Sequence, residues 1–311
     1  MSPEPSDAEP GGGGVTAPAD RPAAGIAYQL VALLSFVTMD CLIKASVQTL
    51  PLAVVLWARF AFHLAFVALL IALMGRRVPP RTRAPKLQAV RSLCLCVANL
   101  CFSAALIYIP LAEAVAIGFV SPLITTLLAA RVLGEAVGWR RWLGIAIGFT
   151  GVLVIIRPGL GVTHPAALLV LGTAAVFAVY QVLTRRLAGV DDAATTIFHT
   201  GVASGLVTTL IAPFDWAWPS TTEWAMLALI GAIGGGGHFL LIQAFQRAPA
   251  SLLAPFAYTQ IIWAVLAGWA FFAELPDLPA AFGGLVVAAG GLFVIWSESR
   301  ARPVASAGPR Q

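Results

Sequence analysis

Two pairs of ionisable side chains lie inside stretches of sequence that are otherwise apolar. Asp40 and Lys44 are four residues apart in the first stretch, and Arg59 and His63 have the same spacing in the second. Residues four apart share one face of a helix, so each pair would point in one direction. A charge in the hydrocarbon of a membrane is costly unless it is paired or hydrated, so these residues predict a pathway for a polar solute.

A fifth ionisable residue, Glu113, lies near the start of the fourth apolar stretch. Counting about 1.5 Å per helical residue from the outer membrane boundary places both Asp40 and Arg59 at a depth of roughly 12 to 14 Å, where the two can pair. We therefore predict an outward-side polar cluster of Asp40, Lys44, Arg59, His63 and Glu113 that faces a cavity. The alternative is that Lys44 and Glu113 reach the interface while Asp40 and Arg59 form a structural ion pair. For proton coupling, the candidates are Glu113, Asp40 and His63, in that order.

Polar residues also occur near the cytoplasmic ends of later stretches. They are Gln181, Arg185, His199, His238, Gln243 and Arg247. This second cluster carries fewer charges, so the two sides of the pathway are predicted to differ in chemistry. Gln260, near the middle of the ninth stretch, could bind a polar substrate or bond to a neighbouring helix. The intramembrane histidines lack metal-binding spacing, so we expect neither a metal site nor a cofactor.

The composition of the chain is that of a membrane protein. Of its 311 residues, 59% are hydrophobic and only 11% are charged, and the mean hydropathy is +0.88. Soluble domains carry about 25% charged residues. Apolar stretches long enough for a membrane helix are predicted at 25–47, 51–74, 88–108, 110–131, 139–156, 163–186, 194–212, 222–245, 250–273 and 278–297.

The second half of the chain repeats the first. With a constant shift of 139 residues, Ser121 meets Gln260, Glu135 meets Glu274, and Gly151 meets Gly290. We interpret Glu135 and Glu274 as helix-end or loop anchors. A weaker match at a shift of 141 places Asp40 over Gln181 and Lys44 over Arg185.

The repeat predicts the fold. Five predicted spans separate equivalent positions, and because five is odd, a helix and its copy run in opposite directions through the membrane. The predicted fold is an all-α polytopic membrane protein whose ten transmembrane helices form two inverted five-helix repeats. The repeats occupy 25–157 and 163–297, and they lie between cytoplasmic tails at 1–24, which we expect to be disordered, and 298–311.

The basic residues predict the orientation. With the N-terminus inside, sixteen Lys and Arg residues fall on the inner face and only Arg157 falls on the outer face. Basic residues are retained on the cytoplasmic side, so both termini are predicted to be cytoplasmic, in the plasma or inner membrane. The net charge of +5 then reflects topology rather than nucleic-acid binding.

The motifs resemble a known family. The run Pro-Leu-Ala-Glu-Ala-Val-Ala-Ile-Gly-Phe-Val-Ser-Pro-Leu at 110–123, Leu-Gly-Glu at 133–135 and Arg-Pro-Gly at 157–159 are similar to the EamA branch of the drug/metabolite transporter superfamily. The second copy departs from this pattern, with Ala-Glu-Leu at 273–275. The resemblance implies a monomeric or weakly dimeric secondary transporter, whose cavity is lined mainly by the first four helices of each repeat.

We therefore predict a secondary active transporter of small metabolites that works by alternating access in the lipid bilayer. Its substrate is predicted to be amino-acid-like or organic-acid-like, with export favoured. One alternative is an uptake permease for a cofactor or nucleoside-like metabolite. An integral-membrane enzyme is disfavoured, because the chain contains neither a GxSxG nucleophile motif nor an HExxH motif.

Overall fold

The computed structural model describes residues 22–133, 139–157, 164–187, 190–245, 247, 253 and 256–301. Within these residues the regular structure is entirely helical, with no strand. The helices are α1 (Pro22–Ser46), α2 (Leu52–Leu73), α3 (Pro85–Ala105), α4 (Leu111–Gly118), α5 (Ser121–Leu133), α6 (Trp139–Ile156), α7 (Ala167–Leu187), α8 (Ala193–Ile211), α9 (Thr221–Phe245), α10 (Thr259–Phe272) and α11 (Leu278–Ala301). Most of the predicted tails, Glu135 and most of the start of the ninth predicted span lie outside the described residues. Helix α1 begins at Pro22, within the first predicted tail, and α11 continues to Ala301, within the second.

The helices identify a polytopic membrane protein. Six of them, α1, α2, α3, α7, α8 and α9, are long and apolar enough to cross a bilayer. Four shorter apolar segments lie at Leu111–Thr125, Trp142–Ile156, Thr259–Phe272 and Leu278–Val294. We call the side of the membrane on which α1 begins side 1, and the side on which it ends side 2.

The fourth predicted span is not one continuous helix. Helix α4 ends at Gly118 and α5 begins at Ser121, with a turn between them in which the Val120 amide donates to the Ile117 carbonyl over 3.1 Å. Pro122 is the second residue of α5. Proline has no amide hydrogen to donate to the carbonyl four residues earlier, so the break occurs where the hydrogen-bond ladder is already interrupted.

Helices α6 and α11 pack with their backbones in contact. A Cβ added to Gly144 would lie 3.1 Å from the Gly290 carbonyl oxygen, and one added to Gly151 would lie 2.7 Å from the Gly283 carbonyl oxygen. Small residues allow this approach, which is a common way for membrane helices to associate where there is no hydrophobic effect between them. These glycines therefore allow α6 and α11 to pack closely against each other.

Helix α9 packs against α1 and α2 through its glycines. The run Gly234–Gly237 lies within a continuous helix, where glycines allow neighbouring helices to approach closely. A Cβ on Gly231 would lie 2.8 Å from the backbone nitrogen of His63, and one on Gly237 would lie 2.9 Å from the ring of Phe36. This contact brings polar side chains of α1 and α2 next to α9.

Candidate functional site

Asp40 on α1 and Arg59 on α2 lie together in the interior. Their exposures are only 8% and 6%, and their opposite charges attract each other. Among the described residues, neither side chain has a hydrogen-bond partner or an ion pair within 4.0 Å. The predicted proximity of the two charges is therefore found, but a closed structural ion pair between them is not.

Two histidines complete this buried polar core. The ring of His63 lies 6.0 Å from the ring of His238 on α9, and the His238 ring lies 4.9 Å from that of Phe36. Sequence reasoning assigned His63 and His238 to opposite sides of the pathway, whereas the packing of α9 on α1 and α2 brings them together. The Cys96 thiol of α3 also lies near Arg59. We call Asp40, Arg59, His63, Cys96 and His238 the central core.

Lys44 does not join the central core. Its ammonium donates to both carboxylate oxygens of Glu274, over 2.7 and 2.6 Å, and to the Ile109 carbonyl over 3.2 Å. The Lys44 side chain is 6% exposed and that of Glu274 is 30% exposed. This ion pair joins the end of α1 to the end of α10 on side 2, so Glu274 is more than the helix-end anchor that we predicted.

The position of Glu274 follows from the way α10 ends. Ala273 adopts a left-handed conformation with φ of 54°, and the Glu274 amide donates to the Gly268 carbonyl over 3.0 Å. The Ala273 amide also donates to the Trp269 carbonyl over 3.1 Å, which is the 5→1 hydrogen bond of the αL motif that commonly ends a helix. The motif therefore fixes the backbone from which Glu274 reaches Lys44.

Glu113 also lies on side 2, in the first turn of α4. It is half-buried, and among the described residues its carboxylate has no hydrogen-bond partner. The charges that act on it are those of Asp277, Arg157, Glu274 and Lys44. The structure therefore separates Glu113 from Asp40 and Arg59 and groups it with surface-side charges.

Two of those neighbouring charges form a second ion pair. Asp277 accepts from Arg157 over 2.7 Å and from the Ala280 amide over 2.9 Å, which caps the start of α11. The Ala280 amide, and then Arg157, hold the pKa of Asp277 below its ordinary value of 3.8. Asp277 is therefore ionised at neutral pH and neutralises Arg157.

Arg91 is one of the sixteen basic residues that the sequence assigned to the inner face, but its side chain is buried. It is only 3% exposed, and its guanidinium donates to Thr184, Thr200 and Tyr180 over 2.7, 2.8 and 2.7 Å. These partners lie on α7 and α8 and are all uncharged. Arg91 therefore keeps a net positive charge in the interior.

The remaining predicted polar residues lie apart from one another. Gln181 on α7 donates to the Ser121 hydroxyl of α5 over 3.3 Å. Gln260 on α10 is half-buried and has no hydrogen-bond partner among the described residues. On side 1, His199 bonds to the Thr195 carbonyl at 2.9 Å and Arg247 donates to Gln243 over 2.6 Å. The side chain of Arg185 lies outside the described residues, and those residues contain no cluster suited to a metal ion.

Two long regions of the chain match one known protein family. The model of the EamA-like transporter family matches residues 23–157 and again residues 164–296. The chain belongs to the EamA-like transporter family. As a member of this family it is a transporter and not an enzyme, and its small-molecule substrate must cross the membrane in which the helices are embedded.

Several curated relatives of this EamA-like transporter are similar along most of their length. The chain is 26% identical over 276 residues to an S-adenosylmethionine uptake transporter of Rickettsia prowazekii, covering 89% of this chain and 94% of the relative. It is 26% identical to a riboflavin transporter of Vibrio cholerae, covering 91% and 96%. It is 28% identical to a pseudopaline exporter of Pseudomonas aeruginosa, covering 85% and 93%.

A solved structure supports the same fold. One crystal structure superposes on this chain with a TM-score of 0.65, covering 90% of this chain and 99% of the other, at 19% sequence identity. At this identity the likeness shows a shared fold alone.

Proposed function

We propose that this protein is a secondary active transporter that moves a small, amino-acid-like or organic-acid-like metabolite across the membrane by alternating access. The substrate carboxylate binds Arg59 in the central core. One observation carries the proposal: Arg59 is a buried guanidinium that no described residue bonds. A buried charge of this kind in a membrane protein is a functional site by default.

The charges of the interior favour an anionic or zwitterionic substrate. Arg59 and Arg91 contribute two positive charges, Asp40 contributes one negative charge, and Lys44 is already neutralised by Glu274. The interior therefore has a surplus positive charge, which attracts a carboxylate group. Asp40 would then bind an ammonium group on the same substrate, as in an amino acid.

The names of two relatives bear on the direction of transport and on the class of substrate. S-adenosylmethionine carries an amino-acid group, and its transporter works in uptake, whereas the pseudopaline protein is an exporter. We retain export of an amino-acid-like metabolite as the proposal. Uptake of an S-adenosylmethionine-like cofactor is the second candidate, which the curated uptake relatives favour.

The contacts between α6 and α11 support an inverted repeat of ten helices, with halves at 25–157 and 163–297. A shift of 139 residues takes Gly144 to Gly283 and Gly151 to Gly290. Under that shift, the contact between Gly144 and Gly290 becomes the contact between Gly283 and Gly151, and both contacts are present. A pair of contacts that exchange in this way is what a twofold axis in the membrane plane produces.

The same relation suggests how the substrate site changes during transport. The bonded pair Ser121 and Gln181 is equivalent, through the shifts of 139 and 141, to Gln260 and Asp40. Among the described residues, Gln260 and Asp40 are unbonded. We infer that the substrate occupies the space between Asp40 and Gln260.

The ion pair of Lys44 and Glu274 is inferred to close the pathway on side 2 in this conformation. By the distribution of basic residues, side 2 is the outer side and both termini are cytoplasmic. Proton coupling would run through Asp40, His63 or Glu113, and the protein would act as a monomer or weak homodimer.

The proposal can be tested by comparing metabolites inside and outside cells that express the wild type, Asp40→Asn, Arg59→Gln or Arg140→Gln at matched levels. Arg140 is exposed and serves as the matched arginine control. We expect one carboxylate-containing metabolite to accumulate outside with the wild type and Arg140→Gln. With Arg59→Gln its transport should fall by about tenfold or more, since a hydrogen bond to a charged group contributes about 1.5 to 3 kcal/mol.

The two directions of transport give opposite outcomes in this comparison. Accumulation inside the cells would establish uptake in place of export. Transport by Arg59→Gln at the wild-type rate would contradict the proposed site.

A further inference from the structure

An open groove lies on the outer surface of the bundle, between α4, α10 and α11. It has a volume of about 530 Å³ and shares no residue with the central core. Its walls include Ile262, Leu266 and Leu285, which are 59%, 47% and 70% exposed. Thr259–Phe272 and Leu278–Val294 are short apolar helical segments. In a polytopic membrane protein, exposed apolar side chains on such helices face lipid, so we infer that this groove opens toward the lipid chains.

Small residues create the depression. Ala112 and Ala116 of α4 line it opposite Gly284 of α11, where an added Cβ would lie 3.7 Å from the Ala116 Cβ. The groove follows α11 from Ala280 to Leu292. The twelve helical steps from Ala280 to Leu292 span about 18 Å, which is close to half the hydrocarbon thickness of about 30 Å. A hydrocarbon chain that extends from side 2 to the middle of the bilayer would fill this groove.

Glu113 lies at the side 2 end of this groove. The charges around it form two pairs, Lys44 with Glu274 and Arg157 with Asp277. Glu113 is the carboxylate left over from this pairing, and among the described residues it has no hydrogen-bond partner. An apolar groove that ends at an unbalanced carboxylate is complementary to an amphiphile with a positively charged head.

We propose that the groove binds a membrane lipid whose headgroup carries a primary ammonium group, with its acyl chain along α11 and its ammonium beside Glu113. A lipid is the occupant because the groove opens to the bilayer and spans one leaflet. This inference is independent of the solute that the central core transports.

The test uses the full-length protein, purified in a neutral detergent and stripped of lipid. Native mass spectrometry measures the binding of phosphatidylethanolamine and phosphatidylglycerol with identical acyl chains. The wild type is expected to bind the ethanolamine lipid about tenfold more tightly, as one charge-assisted contact would provide. Glu113→Gln should still bind both lipids but lose this preference, whereas Glu223→Gln, a change at a carboxylate in another part of the fold, should keep it.

A second variant tests the groove itself. Ala281 is an exposed residue of the groove lining, so Ala281→Trp should fill it without disturbing the interior, and binding of both lipids should fall. Equal binding of the two lipids by the wild type would overturn the proposal, as would unchanged binding by Ala281→Trp. Free ethanolamine is the last control. If it displaces the ethanolamine lipid at the same concentration at which the lipid binds, the occupant is a soluble amine, and the proposal is overturned.

Discussion

Alanine in place of Glu274 is expected to destabilise the folded protein by about 3 kcal/mol. The change leaves the ammonium of Lys44, which is 6% exposed, without the carboxylate that accepts two of its hydrogen bonds. A buried charge that loses its partner is destabilising because it keeps its desolvation cost and loses the attraction. Unfolding of the variant in mixed micelles with increasing denaturing detergent measures the change in free energy.

Two further variants separate this effect from a general sensitivity to lost carboxylates. Glu223 also bonds across the fold, to Thr49 over 2.8 Å, but this contact is exposed. Glu223→Ala should therefore cost less than about 1 kcal/mol. The double variant Lys44→Met with Glu274→Leu should recover most of the loss, because an apolar pair of similar size has no buried charge. If Glu274→Ala is as stable as Glu223→Ala, the ion pair does not hold α1 to α10.

Leucine in place of Gly151 is expected to cost about 2 to 3 kcal/mol. A side chain there meets the Gly283 carbonyl oxygen and the Val287 backbone nitrogen, each 2.7 Å from the position of an added Cβ. Backbone atoms cannot rotate away as a side chain can, so α6 and α11 must separate. The same unfolding measurement detects the loss of free energy. Because α6 and α11 no longer pack together, the variant should unfold in two separate transitions rather than in one.

A second glycine provides the matched control for this change. Gly172 of α7 has nothing within 4 Å of an added Cβ and is exposed. Gly172→Leu should leave stability within about 0.5 kcal/mol of the wild type. Equal losses at the two positions would mean that leucine perturbs membrane helices in general, and would contradict a specific contact between α6 and α11.

Local composition and counting predicted much of the molecule. The predicted family and the predicted membrane class are both confirmed. They were predictable because the length of an apolar stretch and a repeated motif can be read without knowledge of tertiary packing. The neighbouring charges of Asp40 and Arg59 were predictable because both residues lie on consecutive antiparallel helices. Their depth follows from a helical rise of about 1.5 Å per residue.

Contacts between distant parts of the chain were not predictable in the same way. Lys44 and Glu274 are 230 residues apart, and their meeting depends on the packing of α1 against α10. A clue was present in the repeat, since Glu274 recurs at Glu135 and Lys44 is matched by Arg185. When an acidic and a basic residue both recur in the two copies of an apolar chain, the recurrence indicates that they interact. The depth of each residue in the membrane does not give this indication.

Arg91 illustrates a different failure. A basic residue near the start of a membrane helix satisfies the rule for cytoplasmic charges, whether its side chain faces water or the interior. Its burial depends on hydroxyl groups of α7 and α8 that point toward α3. Only the three-dimensional arrangement of those helices distinguishes a topological charge from a buried one.

The most direct test of the transport mechanism is to cross-link the two ends of the ion pair. Cys41, Cys94, Cys96 and Cys101 are free thiols and would first be replaced by alanine or serine. Lys44→Cys and Glu274→Cys would then be joined by a short, cleavable thiol cross-linker in proteoliposomes that transport the substrate found above. A reagent that caps each thiol without joining them is the control.

If side 2 must open during each cycle, cross-linking will stop transport, cleavage of the linker will restore it, and the capped control will transport throughout. Transport by the cross-linked protein at the rate of the capped control would contradict alternating access at this site.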